Sequence, residues 1–72
     1  MLSKKDLQIA IGKRIREIRE KKNIPQQVIA AKCNIEKSNF SRIEAGKTNP
    51  TLFTLYKIAY NLNISISELI EF

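Results

Sequence analysis

At 72 residues the chain reads as a single domain, near the size at which one hydrophobic core is only just sufficient. One cysteine and no histidine exclude an internal disulfide framework and the usual zinc-ligand patterns. A surplus of 13 Lys+Arg over 7 Asp+Glu gives a net charge of +6; no apolar run reaches the ~20 residues that span a bilayer, and "MLSKKDLQIAIGKR" lacks the apolar stretch and cleavage site of a secretory signal.

The charge is uneven. Residues 1–22 carry Lys4, Lys5, Lys13, Arg14, Arg16, Arg19, Lys21 and Lys22, whereas residues 58–72 carry Glu68 and Glu71 and no base. The N-terminal part should attract polyanions and the C-terminal part should not. The lone Cys33 suits a reducing cytoplasm.

Two Gly and two Pro, with no linker or repeat, leave room for five helices and short turns. The first is expected over about 4–22. "SKKD" at 3–6 is a capping-box variant with Asp in the place of Glu or Gln, and Leu7, Ile11, Ile15 and Ile18 form an apolar stripe. Lys21 and Lys22 sit in the last turn, where cations suit the macrodipole. The second helix, about 26–33, opens near Pro25, tolerated at a first helical position. Val28, Ile29, Ala30 and Cys33 give its buried side. Asn34, at ease in the left-handed conformation, stops it.

The third helix, about 37–45, ends at Gly46. Its apolar edge is thin, consisting of Phe40 and Ile43, three residues apart. Lys37, Ser38, Asn39, Ser41 and Arg42 form the other face: a poor core and a poor cofactor pocket, but a row of hydrogen-bonding groups at helical spacing. The fourth helix, about 51–62, should turn Leu52, Leu55, Ile58, Ala59 and Leu62 inward. "SISE" at 65–68 is a capping box opening a fifth helix over about 66–71, with Leu69, Ile70 and Phe72 as apolar content. The alternation in "NISIS" (63–67) hints at a strand, but the capping box inside it argues against one. The pattern predicts an all-α bundle.

The stretch "IPQQVIAAKCNIEKSNFSRIEAGKTNP" reads as a helix, a short turn and a second helix, spanning about 25–45. With "IGKRIREIR" before it and "TLYKIAYNLNIS" after it, the chain resembles the Cro/repressor-type (XRE-like) helix-turn-helix DNA-binding domains over roughly Ile11 to Leu69. The resemblance implies a compact lambda-repressor-like fold of five helices, with the third helix in the major groove of DNA. It also implies base contacts from Lys37, Ser38 and Arg42. Arg42 is the best candidate for bidentate contact with a guanine's O6 and N7. Backbone contacts are implied for Gln26, which matches the family's phosphate-binding glutamine, and expected for Lys47, Thr48 and Asn49 in the following loop. Asn39 and Ser41 suit phosphate contact or partial burial. Arg19 and Glu44 match a structural ion pair bridging the first and third helices. Pro25, Asn34 and Glu36 depart from the family pattern, standing where a capping Ser/Thr, a turn glycine and a second capping Ser/Thr are usual.

Phe53, Tyr56 and Tyr60 lie on a different stripe of the fourth helix from its core leucines. With Ile64, Ile66, Ile70 and Phe72 they form a candidate homodimer interface, because so small a domain cannot easily cover this much apolar surface; partial burial under the last helix is the plainer alternative. Cys33 reads as a small core hydrophobe. The expectation is a cytoplasmic, nucleoid-associated homodimer that binds double-stranded DNA as a sequence-specific transcriptional regulator, without cofactor, metal, membrane or small-molecule ligand. No spaced acid/base pair supports catalysis. The alternative is a protein-interaction module of the same fold, such as an antitoxin holding a toxin.

Overall fold

The computed structural model describes Met1 to Phe72 and contains helices only: α1 (Lys4–Lys21), α2 (Gln26–Lys32), α3 (Lys37–Glu44), α4 (Leu52–Asn61) and α5 (Ile66–Leu69). These match the predicted five in order and place. The ends differ by a residue or two because Lys22, Cys33, Ala45 and Leu62 are C-caps and Thr51 is an N-cap. Pro25 is likewise the N-cap of α2 rather than its first helical residue. α5 stops at Leu69, since Ile70 already leaves helical geometry with φ −113°.

The first four helices end by one device. Asn23, Asn34, Gly46 and Asn63, each just past a C-cap, are left-handed with φ of 59°, 57°, 73° and 61°. The next residue's amide then bonds back over the last turn: Ile24 to the Arg19 carbonyl at 3.1 Å, Ile35 to Ala30 at 2.9 Å, Lys47 to Arg42 at 3.0 Å and Ile64 to Ala59 at 3.0 Å. These are Schellman closures, which satisfy carbonyls that would otherwise be orphaned. Three of them carry the dipeptide Asn-Ile, and Ile24, Ile35 and Ile64 all pack against the core. The asparagine therefore turns the chain while the isoleucine after it ties the turn to the interior. Of the three asparagines, the sequence reading found only Asn34.

The core is one cluster of 12 buried residues drawn from every helix, centred on Ile15, Ile29, Phe40, Ile58 and Leu69. Three expected core positions are outside it. Leu7, Val28 and Leu52 are exposed. Leu7 belongs to a first turn of α1 that is exposed throughout. Val28 cannot face inward together with its neighbours Ile29 and Ala30 on a helix of 3.6 residues per turn. Leu52 lies on the same outer stripe as Phe53, Tyr56 and Tyr60. Ala30 is buried, as a close crossing requires.

Helices α1 and α3 are in close backbone approach at Gly12. A Cβ there would lie 2.6 Å from the Glu44 carbonyl oxygen and would also strike that of Ile43. A glycine inside a helix normally costs about 1 kcal/mol relative to alanine, a cost offset here by the contact it permits. Cys33 is buried, its sulfur close to the Lys57 carbonyl and the Asn61 amide, each at 3.6 Å. Burial pushes the Cys33 thiol up, partly countered by the Asn61 hydrogen bond and the Lys57 charge.

Two outcomes follow from these contacts. Gly12→Ala should lower unfolding stability by about 1–3 kcal/mol instead of gaining helix propensity; a urea midpoint at or above wild type would show that the two backbones are free to part. For Cys33, a folded pKa above the unfolded one means that stability is intact below the unfolded value and declines as pH rises through the folded value. From about pH 8.5 upward, wild type should therefore lose stability more steeply than Cys33→Ala, whereas parallel curves would contradict the buried thiol.

Candidate nucleic-acid interface

α3 has only eight residues, too few for a helix to be stable alone in water. Its place is set by what it buries: Phe40, Ile43 and Glu44. Lys37, Ser38, Asn39, Ser41, Arg42 and Ala45 are all exposed. At 3.6 residues per turn, Lys37, Ser41, Ala45, Ser38 and Arg42 sweep one continuous arc of about 140°. Lys37 and Arg42 mark its two edges, and the two serines lie between them. Asn39 falls outside this arc, beside Ile43 at the margin.

The polar anchor of α3 is the Glu44 carboxylate, which is buried although charged. Arg19 grips it with two donors, Nε to Oε2 at 2.6 Å and Nη2 to Oε1 at 3.1 Å. Gln26 adds a third, Nε2 to Oε1 at 2.7 Å. The remaining Arg19 nitrogen, Nη1, donates to the Ile24 carbonyl at 2.8 Å, so this one side chain ties α1 to α3 and to the turn that leads into α2. The Glu44 hydrogen bond raises the Arg19 pKa above its ordinary value, against the opposing effect of burial. The Arg19–Glu44 geometry agrees with the ion pair implied by the resemblance.

Gln26 thus has an internal task, leaving one of its two amide hydrogens free. It borders an open, mostly polar concavity of roughly 520 Å³ between α1, Pro25 at the start of α2, and α3. Arg16, Arg19, Gln27, Lys37 and Ser41 complete most of its wall. Beyond α3, Lys47 and Asn49 are exposed. Thr48 is half-buried, and its hydroxyl oxygen is buried with no hydrogen-bond partner in the protein.

Opposite the core, α4 presents Leu52, Phe53, Tyr56 and Tyr60, all exposed. Phe53 and Tyr56 have ring centroids 6.3 Å apart and Tyr56 and Tyr60 6.2 Å, while the Lys57 ammonium lies 5.4 Å from the Phe53 centroid. The rings are therefore not covered by α5. Ile70 and Phe72 are exposed as well. Ile64 and Ile66 differ, both half-buried against the core, and Ile64 lines a shallow cleft with Ile18 and Lys22 of the α1 end. Arg16, Gln27 and Gly12 are not among the site residues expected from the sequence, and Leu52, expected to face inward, lies on the outer face. The helical glycine was a usable signal for Gly12, and the 3.6 period was one for Leu52.

The architecture is that of an all-α helix-turn-helix domain with the turn between α2 and α3. A family model described as helix-turn-helix matches residues 15–69, and the chain belongs to that family. It is 37% identical over 65 residues to the control protein C.MunI of a Mycoplasma species, covering 89% of this chain and 88% of that one. Its fold matches the crystal structure of the restriction–modification controller protein C.AhdI from Aeromonas hydrophila with a TM-score of 0.82 at 31% identity, over 85% of this chain and 92% of that one. SinR, a master regulator for biofilm formation crystallised in complex with DNA, matches with a TM-score of 0.78 at 34% identity, over 85% and 98% of the two chains.

Because Arg19 would be left charged without its partner in a buried site, Glu44→Ala should cost about 3–5 kcal/mol in unfolding free energy. Denaturant unfolding measures it directly, and a loss below about 1 kcal/mol would mean that the pair is solvated in solution.

Proposed function

We propose that this protein is a sequence-specific, double-stranded DNA-binding transcriptional regulator, acting as a homodimer on a near-palindromic operator. The observation that carries the reading is α3, whose buried side holds Phe40, Ile43 and Glu44 and whose outer arc offers only polar, cationic and small side chains. A major groove admits an α-helix and presents a different donor and acceptor pattern for each base pair. Lys37, Ser38 and Arg42 take the base edges in this reading. Gln26, Asn39, Ser41, Lys47, Thr48 and Asn49 take the phosphates on either side, which orient the helix without reading sequence. The net charge of +6 supplies long-range attraction. Membership of the helix-turn-helix family supports the reading, as does the likeness to control proteins and to a regulator crystallised with DNA.

Homodimer formation rests on the outer face of α4. Four large apolar side chains in one arc of α4, with Ile70 and Phe72 also exposed, are apolar surface of the kind that marks an interaction site. The reading requires a two-fold pair that sets its two copies of α3 about one DNA turn, ~34 Å, apart. Catalysis has no part in this reading, and no helix is long and apolar enough to cross a membrane.

Selection of bound duplexes from a random pool should return a consensus with two-fold symmetry, bound about 10³-fold or more above random DNA and with affinity falling steeply as salt rises. Arg42→Ala should then cost about 1–3 kcal/mol and relax preference at one base pair per half-site, whereas Lys47→Ala should weaken all sequences alike. No selectable consensus together with a flat salt response would instead favour a protein-interaction module of the same fold. Tyr56→Glu should shift sedimentation from dimer to monomer; an unchanged dimer would place the interface elsewhere.

A further inference from the structure

α1 packs against the C-terminal end of the recognition helix. Its Gln8 amide donates to the Gly46 carbonyl at 3.4 Å, beyond the C-terminal end of α3. Gly12 meets the Ile43 and Glu44 carbonyls. One further turn along, Arg16 shares the polar concavity with Lys37 and Ser41 of the α3 N-terminal half. This brings three cations, Arg16, Arg19 and Lys37, to one mostly polar hollow.

The two arginines there are in opposite states. Arg19 is buried, with three guanidinium nitrogens bonded to Glu44 and the Ile24 carbonyl. Arg16 is mostly exposed, and its one hydrogen bond runs from Nε to Glu20 Oε2 at 3.2 Å. Four of its five N–H groups are therefore free, and their planar fork fits a phosphate in two-point contact. Glu20 is exposed to a similar degree, with side-chain exposures of 63% for Arg16 and 55% for Glu20. Exposed pairs of this kind are weak and are exchanged readily for another anion.

We infer that Arg16 is a DNA-phosphate clamp at the N-terminal edge of α3, and that Glu20 is its built-in competitor, holding one guanidinium donor and offsetting the charge that a phosphate would otherwise meet in full. The inference rests on the DNA-binding reading above and deepens it. Arg16 contributes to affinity for any duplex, and Glu20 lowers that sequence-independent part. The chain thereby spends less time held on DNA that lacks its operator. Lys37 is left free to turn to the groove, because the backbone charge beside it is met by Arg16.

The test is a double-mutant cycle on binding to a random-sequence duplex and to the selected operator, each over a range of salt. Arg16→Ala should weaken both by about fivefold or more, and the slope of log affinity against log salt should become shallower by about 0.9 for each bound subunit. Glu20→Gln should tighten both by about two- to fivefold, and that gain should vanish in the Arg16→Ala background. If Glu20→Gln gains equally in the two backgrounds, the acid acts by repelling phosphate directly and the competitor assignment is overturned. If Arg16→Ala keeps wild-type affinity and salt slope, Arg16 is ordinary solvated surface and the clamp is overturned while the DNA-binding reading stands. If wild type itself binds neither duplex, the reading beneath the inference has failed, and the inference fails with it.

Discussion

The buried contact between Arg19 and Glu44 is the constraint on which the rest of this molecule depends. Taking two charges out of water is expensive, and such a pair is often worth no more to stability than well-packed apolar residues of the same volume. Its value lies in direction. The carboxylate at the end of α3 receives two donors from α1 and one from Gln26 at the start of α2, and the same arginine holds the carbonyl of Ile24. An apolar contact would let α3 rotate or slide about Phe40 and Ile43. A charge-assisted fork allows one orientation, and in that orientation Lys37, Ser38, Ser41 and Arg42 face out together.

Short helices need the same economy at their ends. Asn23, Asn34, Gly46 and Asn63 reverse the chain at once, so the connections stay brief and each following residue is directed by a backbone hydrogen bond rather than by a long loop. The closure after α3 makes the link from fold to function, since the amide that bonds back to Arg42 belongs to Lys47. The recognition helix and the cation proposed to grip the adjoining phosphate are thus positioned by one motif. Gly46 itself packs on the α1 backbone at Ile9, which adds to the contacts that hold α1 against the end of α3.

Much of this was legible in the residues. The helix order, the inward Ile11, Ile15, Ile58 and Leu62, and the outward face of α3 follow from the 3.6-residue period, and the Arg19–Glu44 pair from resemblance at matching positions. What failed did so where one dimension of information is too little. Periodicity places Leu7 on the core stripe of α1 but does not say that the first turn has no neighbour above it. Three apolar residues in a row at 28–30 cannot be ranked without knowing which side α2 turns to the core. Nor does the period show that the Thr48 hydroxyl oxygen is buried or that Ile64 and Ile66 are half-buried against the core. Arg16 sits more than twenty residues from Lys37 in the chain, and only the packing of α1 against α3 brings the two to one hollow.

The proposed dimer and the DNA contacts occupy different elements, with the aromatic face on α4 and the polar arc on α3. Cys33 lies between them, its sulfur joining α2 to the Lys57 carbonyl and the Asn61 side chain of α4. Presentation of α3 nevertheless depends on α1 and the ion pair. The most direct measurement is the operator affinity and base discrimination of the double variant Arg19→Met/Glu44→Leu, in which the buried charges are exchanged for apolar groups of similar size. The account predicts a folded chain, with stability within about 2 kcal/mol of wild type, that has lost most of its discrimination between the selected operator and random DNA. A folded variant that recognises the operator with wild-type affinity and selectivity would contradict it.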